Sequence, residues 1–489
     1  MPKAIIIGAG IAGIASSIRF AIKGYDVTVF DANAKPGGKL GTLKIGGFRF
    51  DTGPSLFTMP QYVDELFELA DKNPRDYFNY TKLDEICRYF YEDGLRLNAY
   101  ADINFFAREI EEKTNSEAKG VYDFLKKSEK IYQITNKVFL QRSLHKVKSY
   151  LHWDTIKSLL NFGKIDAFRT QSDANKRMFN DARITQLFNR YATYNGSNPF
   201  QAPATLNVIP HFEYGFGAFL PNYGMYHLVD ALVKLAKELG VQFNFNSKVE
   251  EIVYKTKGRR QKVEGVKCNT ISYKADVVVS NLDIYFTYNR LLKNFPAPKK
   301  ILAQQRSSSA LIFYWGIKGN SSELDVHNIF FAENYEEEFD HIWKRKSISP
   351  DPTVYINITS KLIKTDAPVD CENWFVMINV PANEGQNWDE LISTAKTNIL
   401  KKLNRILRIN VEPLIVCEQI LDPIKIEHNT GSFQGSLYGN SSNNKFAAFL
   451  RHPNFSSKIQ NLYFCGGSVH PGGGIPLALL SAKIIDDLN

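Results

Sequence analysis

Three glycines, Gly8, Gly10 and Gly13, stand between an apolar run (Ile5–Ile7) and a helical pattern (Ile11, Ile14, Ala15, Ile18, Ala21, Ile22). A carboxylate, Asp31, follows 18 residues after Gly13. Gly8 permits a tight turn, Gly10 lets the backbone approach a pyrophosphate, and Gly13 lets the helix pack closely on a strand. The helix N-terminus then offers free N–H groups and the positive end of its dipole to phosphates. Asp31, at the end of a second strand, is positioned to accept from ribose hydroxyls. Together these residues spell the βαβ unit of a dinucleotide site.

Proton-transfer chemistry has fewer candidates: His211, Glu213 and His470. His211 and Glu213 lie in a Gly/aromatic connection, 209–219, expected to border a substrate tunnel. Its aromatics Phe212, Tyr214, Phe216, Phe219 and Tyr223 are candidates to stack against a ligand, with core packing an equal alternative. Taken singly, a hydrogen-bonded histidine and a solvent-facing glutamate are the ordinary roles of the first two. For His470, in a glycine-rich loop, orienting a cofactor ranks ahead of catalysis. No Ser/His/Asp arrangement or metal-ligand spacing stands out, which removes hydrolase and metalloenzyme readings.

The elements that must position these groups are spread along the chain. Ala275–Ser280 reads as a buried parallel strand ending on Asn281, at the polar edge where open α/β sheets bind ligands. Asn461–Cys465 is another such strand. Residues 305–420 contain strand-like runs and one helix near 391–407, as in a separate sheet. Residues 103–190 are expected to be mostly helical, and 193–217 irregular. The spacing thus predicts a cofactor unit in pieces (1–80, 216–285, 421–489) around a substrate unit (81–215, 286–420).

The 489 residues carry a net charge of +9, too modest for nucleic-acid binding without a recognised module. Ten Lys/Arg against three Asp/Glu between Lys126 and Arg169 give that stretch a local +7. Its bases interleave with Tyr150, Leu151, Trp153, Leu159, Leu160 and Phe162, a composition suited either to an anionic membrane surface or to a helical subdomain covering its own core. Five dispersed cysteines without a C-x-x-C pair indicate free thiols in a reducing compartment. The start Met-Pro-Lys running into a strand leaves no room for a signal peptide, and no apolar run reaches transmembrane length. The expected location is cytoplasmic, with peripheral attachment to the inner membrane face as the alternative that the basic stretch leaves open.

Three later features separate FAD from NAD: the cation-terminated turn Pro36-Gly37-Gly38-Lys39, the strand opening at Val249, and the closing run Cys465–Pro476 before a helix. A helix N-terminus near Ile475 would stabilise negative charge on a reduced flavin. These motifs, with Asp51–Pro54 and Asn461–Leu488, resemble the bacterial phytoene-desaturase-type carotenoid desaturases over nearly the whole chain. The stretch Gly53–Pro60 is more similar to the 1-hydroxycarotenoid 3,4-desaturase branch than to the phytoene branch.

The resemblance implies an α/β (α+β overall) protein. It would have a discontinuous Rossmann-type FAD-binding domain, an inserted mixed-sheet substrate domain and a helical membrane-facing subdomain. It implies FAD contacts from Ala12, Asp31, Gly38, Lys39, Ser55, Leu56, Val249, Asn281, Gly467 and Ile475, beside Gly8, Gly10 and Gly13 of the first motif. Lys39 stands where relatives commonly carry Arg; it keeps the charge and loses the planar fork. The implied reaction introduces a C=C bond into an acyclic, lipophilic carotenoid by hydride transfer to flavin. Phytoene desaturase, carotene isomerase, amine oxidase and a non-catalytic prenyl-lipid carrier remain alternatives. The electron acceptor, oxygen or a quinone, has no sequence signature.

Overall fold

A computed structural model describes residues 1–489 except positions 151, 259 and 445; the side chains at 147, 148, 154, 159, 162, 257, 260, 448 and 449 are also left out. Leu151 and the side chains of Leu159 and Phe162, named above for a membrane face, lie outside the described residues.

The apolar run at the start forms a strand, Lys3–Ile7, at the centre of a five-stranded parallel sheet. Its order is Gln242–Asn244, Asp26–Phe30, Lys3–Ile7, Val277–Ser280 and Leu462–Phe464, so strands distant in sequence lie side by side. Both faces are covered, which is why these strands read as unbroken Val/Ile runs. Val277 and Val279 pack towards the opening helix Ile11–Ile22, the helix His227–Glu238 and the closing helix Ile475–Leu488. Val278, turned the other way by the pleat, meets Ile252, Val263 and Val266 of an antiparallel sheet.

A second sheet has seven strands, in the order Ile415–Leu421, Ser309–Lys318, Cys371–Val380, Val354–Ile358, His327–Phe330, Glu85–Phe90 and Arg96–Tyr100. One face packs Trp315, Ile356, Trp374 and Val376 under the helix Trp388–Leu407. The alternate residues on the other face, among them His327, Ile329, Tyr355, Phe375 and Met377, face a cavity. The connection 193–217 is more ordered than its composition suggested. It holds a 3-10 turn, Ala204–Val208, and a short helix, Pro210–Tyr214, begun by a proline at its first position.

The basic stretch is helical over Trp153–Leu160, after the long helix Ala118–Thr135. Trp153 and Leu160 are 75% and 80% exposed. Among the described residues no helix is long and apolar enough to cross a membrane.

Candidate cofactor and substrate cavity

One cavity of about 590 Å³ runs between the parallel sheet's C-terminal edge and the cavity face of the seven-stranded sheet. The glycine turns build its first wall. Gly10 caps the opening helix without any side-chain cap, and no acidic residue follows in the first turn. With its amide turned to present oxygen, the Asn281 side chain accepts from the Gly10 and Gly13 N–H groups at 3.2 Å each, and the other first-turn N–H groups are left to an external acceptor. A Cβ on Gly10 would come within 2.7 Å of the Asn281 amide nitrogen, and one on Gly13 within 2.0 Å of the Gly8 carbonyl. The closing helix repeats the arrangement. Gly474 caps it at a φ of 106° with no side-chain hydrogen bond, and again no acidic residue stands in the first turn. Gly466, Gly467 and Ile475 line the cavity, and so does Asn281, which ends the strand between the two turns. Two helix N-termini thus converge on one space, a donor set suited to a pyrophosphate and an electron-rich ring. The residues fit an FAD.

Of the expected cofactor contacts, Gly10, Ala12, Gly38, Lys39, Ser55, Leu56, Asn281, Gly467 and Ile475 line this cavity. Gly8, Gly13, Asp31 and Val249 do not. Gly8 and Gly13 press against each other inside the turn. Val249 is buried beneath the sheet with Ile5, Ile7 and Phe30. Asp31 is buried, and its carboxylate accepts from the backbone N–H groups of Ala9 at 2.7 Å and Asn33 at 2.7 Å. Burial raises its pKa against those hydrogen bonds. It therefore pins the glycine turn to the second strand.

Lys39 is tied elsewhere as well. Its ammonium donates to the carbonyls of Ser436 at 3.0 Å and Leu437 at 2.6 Å, and burial pushes its pKa down to about 8. It fastens the cavity-lining segment at Leu437–Gly439 to the turn at Gly38. A point charge suffices for two carbonyls, so the missing arginine fork costs this contact nothing.

The proton-transfer candidates separate. His211 lies off the cavity wall, half-buried between Tyr132 and Phe216, with its pKa lowered by burial. Glu213 is not solvent-facing: at 1% exposure it accepts from Tyr191 at 2.6 Å and Tyr194 at 2.5 Å and pairs with Arg190 at 3.6 Å. Arg190 also donates to Tyr89 at 2.8 Å, so the pair is locked by three tyrosines. Arg190 and Tyr194 reach the cavity, whereas Glu213 stands behind them. His470 does line it. Its Nε2–H donates to the Arg142 carbonyl at 2.9 Å, and burial pushes its pKa down to about 3, which makes it a weak base.

The run of aromatics after Ile209 splits too. Phe212 lines the cavity, but Tyr214 stacks on Phe106, Phe219 packs on Tyr80, and Tyr223 is exposed. The cavity's aromatic lining comes instead from Phe139, Tyr335, Tyr355, Phe375 and Tyr438, on distant elements. Sequence reasoning also missed His327, Tyr355 and Arg190. The only signal for His327 was the period-two alternation that puts it on the face of Ile329. Among the described residues no His/Cys/Asp/Glu group is arranged to hold a metal.

The comparisons with known proteins agree with this geometry. Residues 11–310 match the family described as flavin containing amine oxidoreductase. The chain is 50% identical over 488 residues to a 1-hydroxycarotenoid 3,4-desaturase of a Flavobacterium species, covering 100% of this chain and 99% of the relative. A 4,4'-diapolycopene oxygenase of a Methylomonas species is 32% identical, with 99% of this chain and 97% of the relative covered. Among solved structures, wild-type putrescine oxidase bound to putrescine superposes with a TM-score of 0.63 at 14% identity, covering 99% and 98% of the two chains. An oxidoreductase from Methanosarcina mazei gives 0.60 at 16%, covering 99% and 100%.

Proposed function

The chain belongs to the flavin containing amine oxidoreductase family, and on that premise we propose that it desaturates an acyclic carotenoid, specifically a 1-hydroxycarotenoid at the 3,4 position. The observation that carries this reading is the likeness, along the whole length, to the 1-hydroxycarotenoid 3,4-desaturase. The cavity supports it. A donor-rich end formed by two helix N-termini opens onto a wall of Ile312, Ile329, Phe375 and Met377 that suits a polyene.

Bound against the glycine turns, an FAD supplies the acceptor for a hydride from the substrate. The chain's own residues do the rest. Ala12 and Asn281 help hold the cofactor end in place, Lys39 fastens the Leu437–Gly439 segment beside it, and the apolar sheet face orients the hydrocarbon and excludes water. A carbon beside a conjugated chain gives up hydride readily because positive charge spreads along the polyene, which acidifies the neighbouring proton. The proton is then acidic enough to leave to solvent, so a strong protein base is unnecessary. Neutral His470 is suited to orienting the cofactor.

The basic helical segment supports a peripheral membrane position, from which a lipophilic substrate reaches the cavity. The same segment supplies Phe139, Leu140 and Ile165 to the cavity wall. Oxygen or a quinone then takes the electrons.

The test is to give flavin-loaded protein vesicles containing either a 1-hydroxylated acyclic carotenoid or phytoene, and to read absorption and mass. The expected outcome is a red shift with loss of two hydrogens from the hydroxylated substrate. Serial desaturation of phytoene, a gain of oxygen, or a product of unchanged mass would each overturn the assignment.

A further inference from the structure

His327 lies on the cavity face of the seven-stranded sheet, 4% exposed. Its Nδ1 is 2.7 Å from the Tyr355 hydroxyl and 3.2 Å from the Asn357 amide nitrogen. The Tyr355 hydroxyl is in turn 2.7 Å from Ser55 Oγ. With Nδ1 held, Nε2 is the remaining nitrogen of a ring that lines the cavity, and it is buried with no hydrogen-bond partner within the protein. A buried polar atom without a partner is costly and calls for an explanation.

Another buried histidine shows how this fold treats a purely structural ring. His452 donates from Nδ1 to the Pro453 carbonyl at 2.8 Å and accepts at Nε2 from the Tyr288 hydroxyl at 3.1 Å. Both its nitrogens are satisfied. His470 also leaves its Nδ1 unpartnered, but it lies in the glycine loop assigned above to the cofactor. His327 differs in place, being set in the hydrocarbon wall beside Ile329 and across the relay from Ser55.

Resting on the reading of the substrate as a hydroxylated carotenoid, we propose that His327 Nε2 receives the substrate's terminal hydroxyl, with Tyr355 and Ser55 holding the ring. This contact is what tells hydroxylated from unhydroxylated chains. A hydroxyl both donates and accepts, so it pairs with Nε2 in either tautomer of the ring. The position is also right along the substrate. A hydroxyl at carbon 1 stands two carbons from the first carbon to be desaturated, so its partner must sit close to the flavin. Ser55, two hydrogen bonds from His327, is in the wall expected to face the flavin. Burial and the Arg190 guanidinium push the His327 pKa down to about 3, so the ring stays neutral at working pH.

The experiment uses flavin-loaded protein and two probes, an acyclic carotenoid with the 1-hydroxyl and a matched carotenoid lacking it. Binding is read from the carotenoid absorption shift and from tryptophan quenching, and turnover from kcat/KM. His327→Leu is expected to weaken the hydroxylated probe about tenfold and leave its matched partner unchanged. His327→Gln, whose amide reaches the Nε2 position, should recover part of the loss. The wild-type preference should be flat from about pH 5 to about pH 9, because a neutral ring has nothing to titrate there. Equal losses on both probes, no loss on either, or a preference that titrates near pH 6.5 would overturn the assignment while leaving the reaction intact. A wild-type protein that does not convert the hydroxylated probe would instead sink the substrate reading itself.

Discussion

Glu213 illustrates how a side chain's chemistry is set by what surrounds it. With its carboxylate taken up by Tyr191, Tyr194 and Arg190, it is a structural anion behind the cavity wall. Removing one partner of a buried pair leaves the other charge uncompensated, at a cost of about 3–5 kcal/mol. Glu213→Ala should lower the unfolding free energy read from urea titrations by that order, with Arg190→Ala comparably damaging. Unchanged stability would mean that the pair is not closed in solution. The sequence showed Glu213 and its neighbour Tyr214, but not Arg190, or Tyr89, which lies more than a hundred residues away in the chain. His327 was hidden for the same reason. Nothing in His-Asn-Ile-Phe announces a ligand, and its partners Tyr355 and Ser55 come from other strands and turns.

At the scale of elements the sequence was far more legible, because a glycine turn and the helix after it are contiguous. The opening and closing helices, the buried strands and the convergence of both glycine runs follow from local spacing. The exceptions have physical causes. Val249 reads as a nucleotide neighbour, yet its strand pairs antiparallel with Arg260–Cys268 and turns the side chain into the core. Asp31, a carboxylate at the expected strand end, is drawn into bonds with two backbone N–H groups. The opening turn itself carries a clear expectation. In Gly10→Val the added Cβ would crowd the Asn281 amide and stand between the helix N-terminus and any phosphate. The variant should purify without the flavin's visible absorbance while keeping most of its far-ultraviolet dichroism. A fully flavinated Gly10→Val protein would refute the assignment of this turn to the cofactor.

For the whole molecule, charge and exposed apolar surface fall together on one region. The stretch between Lys126 and Arg169 carries ten bases against three acids, and it presents Trp153 and Leu160 to solvent. Such a surface gains from anionic headgroups and loses that gain in salt. The protein should co-sediment with phosphatidylserine-containing vesicles more than with neutral ones, and less as salt rises. Trp153→Glu with Leu160→Glu should abolish the difference without altering the flavin spectrum. Binding indifferent to both lipid charge and these two residues would show that the region faces water.

The parallel sheet has a consequence for how the protein is made. Its central strand, Lys3–Ile7, leaves the ribosome long before the outer strand Leu462–Phe464. At about 5–20 residues per second the two are separated by on the order of a minute. From its own synthesis until that of Leu462–Phe464, Val277–Ser280 waits with one edge unpaired and three valines in the strand, the kind of surface that recruits other nascent chains. Completion of the sheet and of the flavin cradle thus waits on the synthesis of the closing strand and helix. Cellular yield should then depend on chaperone supply and on flavin abundance at the moment of release, more than on the stability of the finished fold.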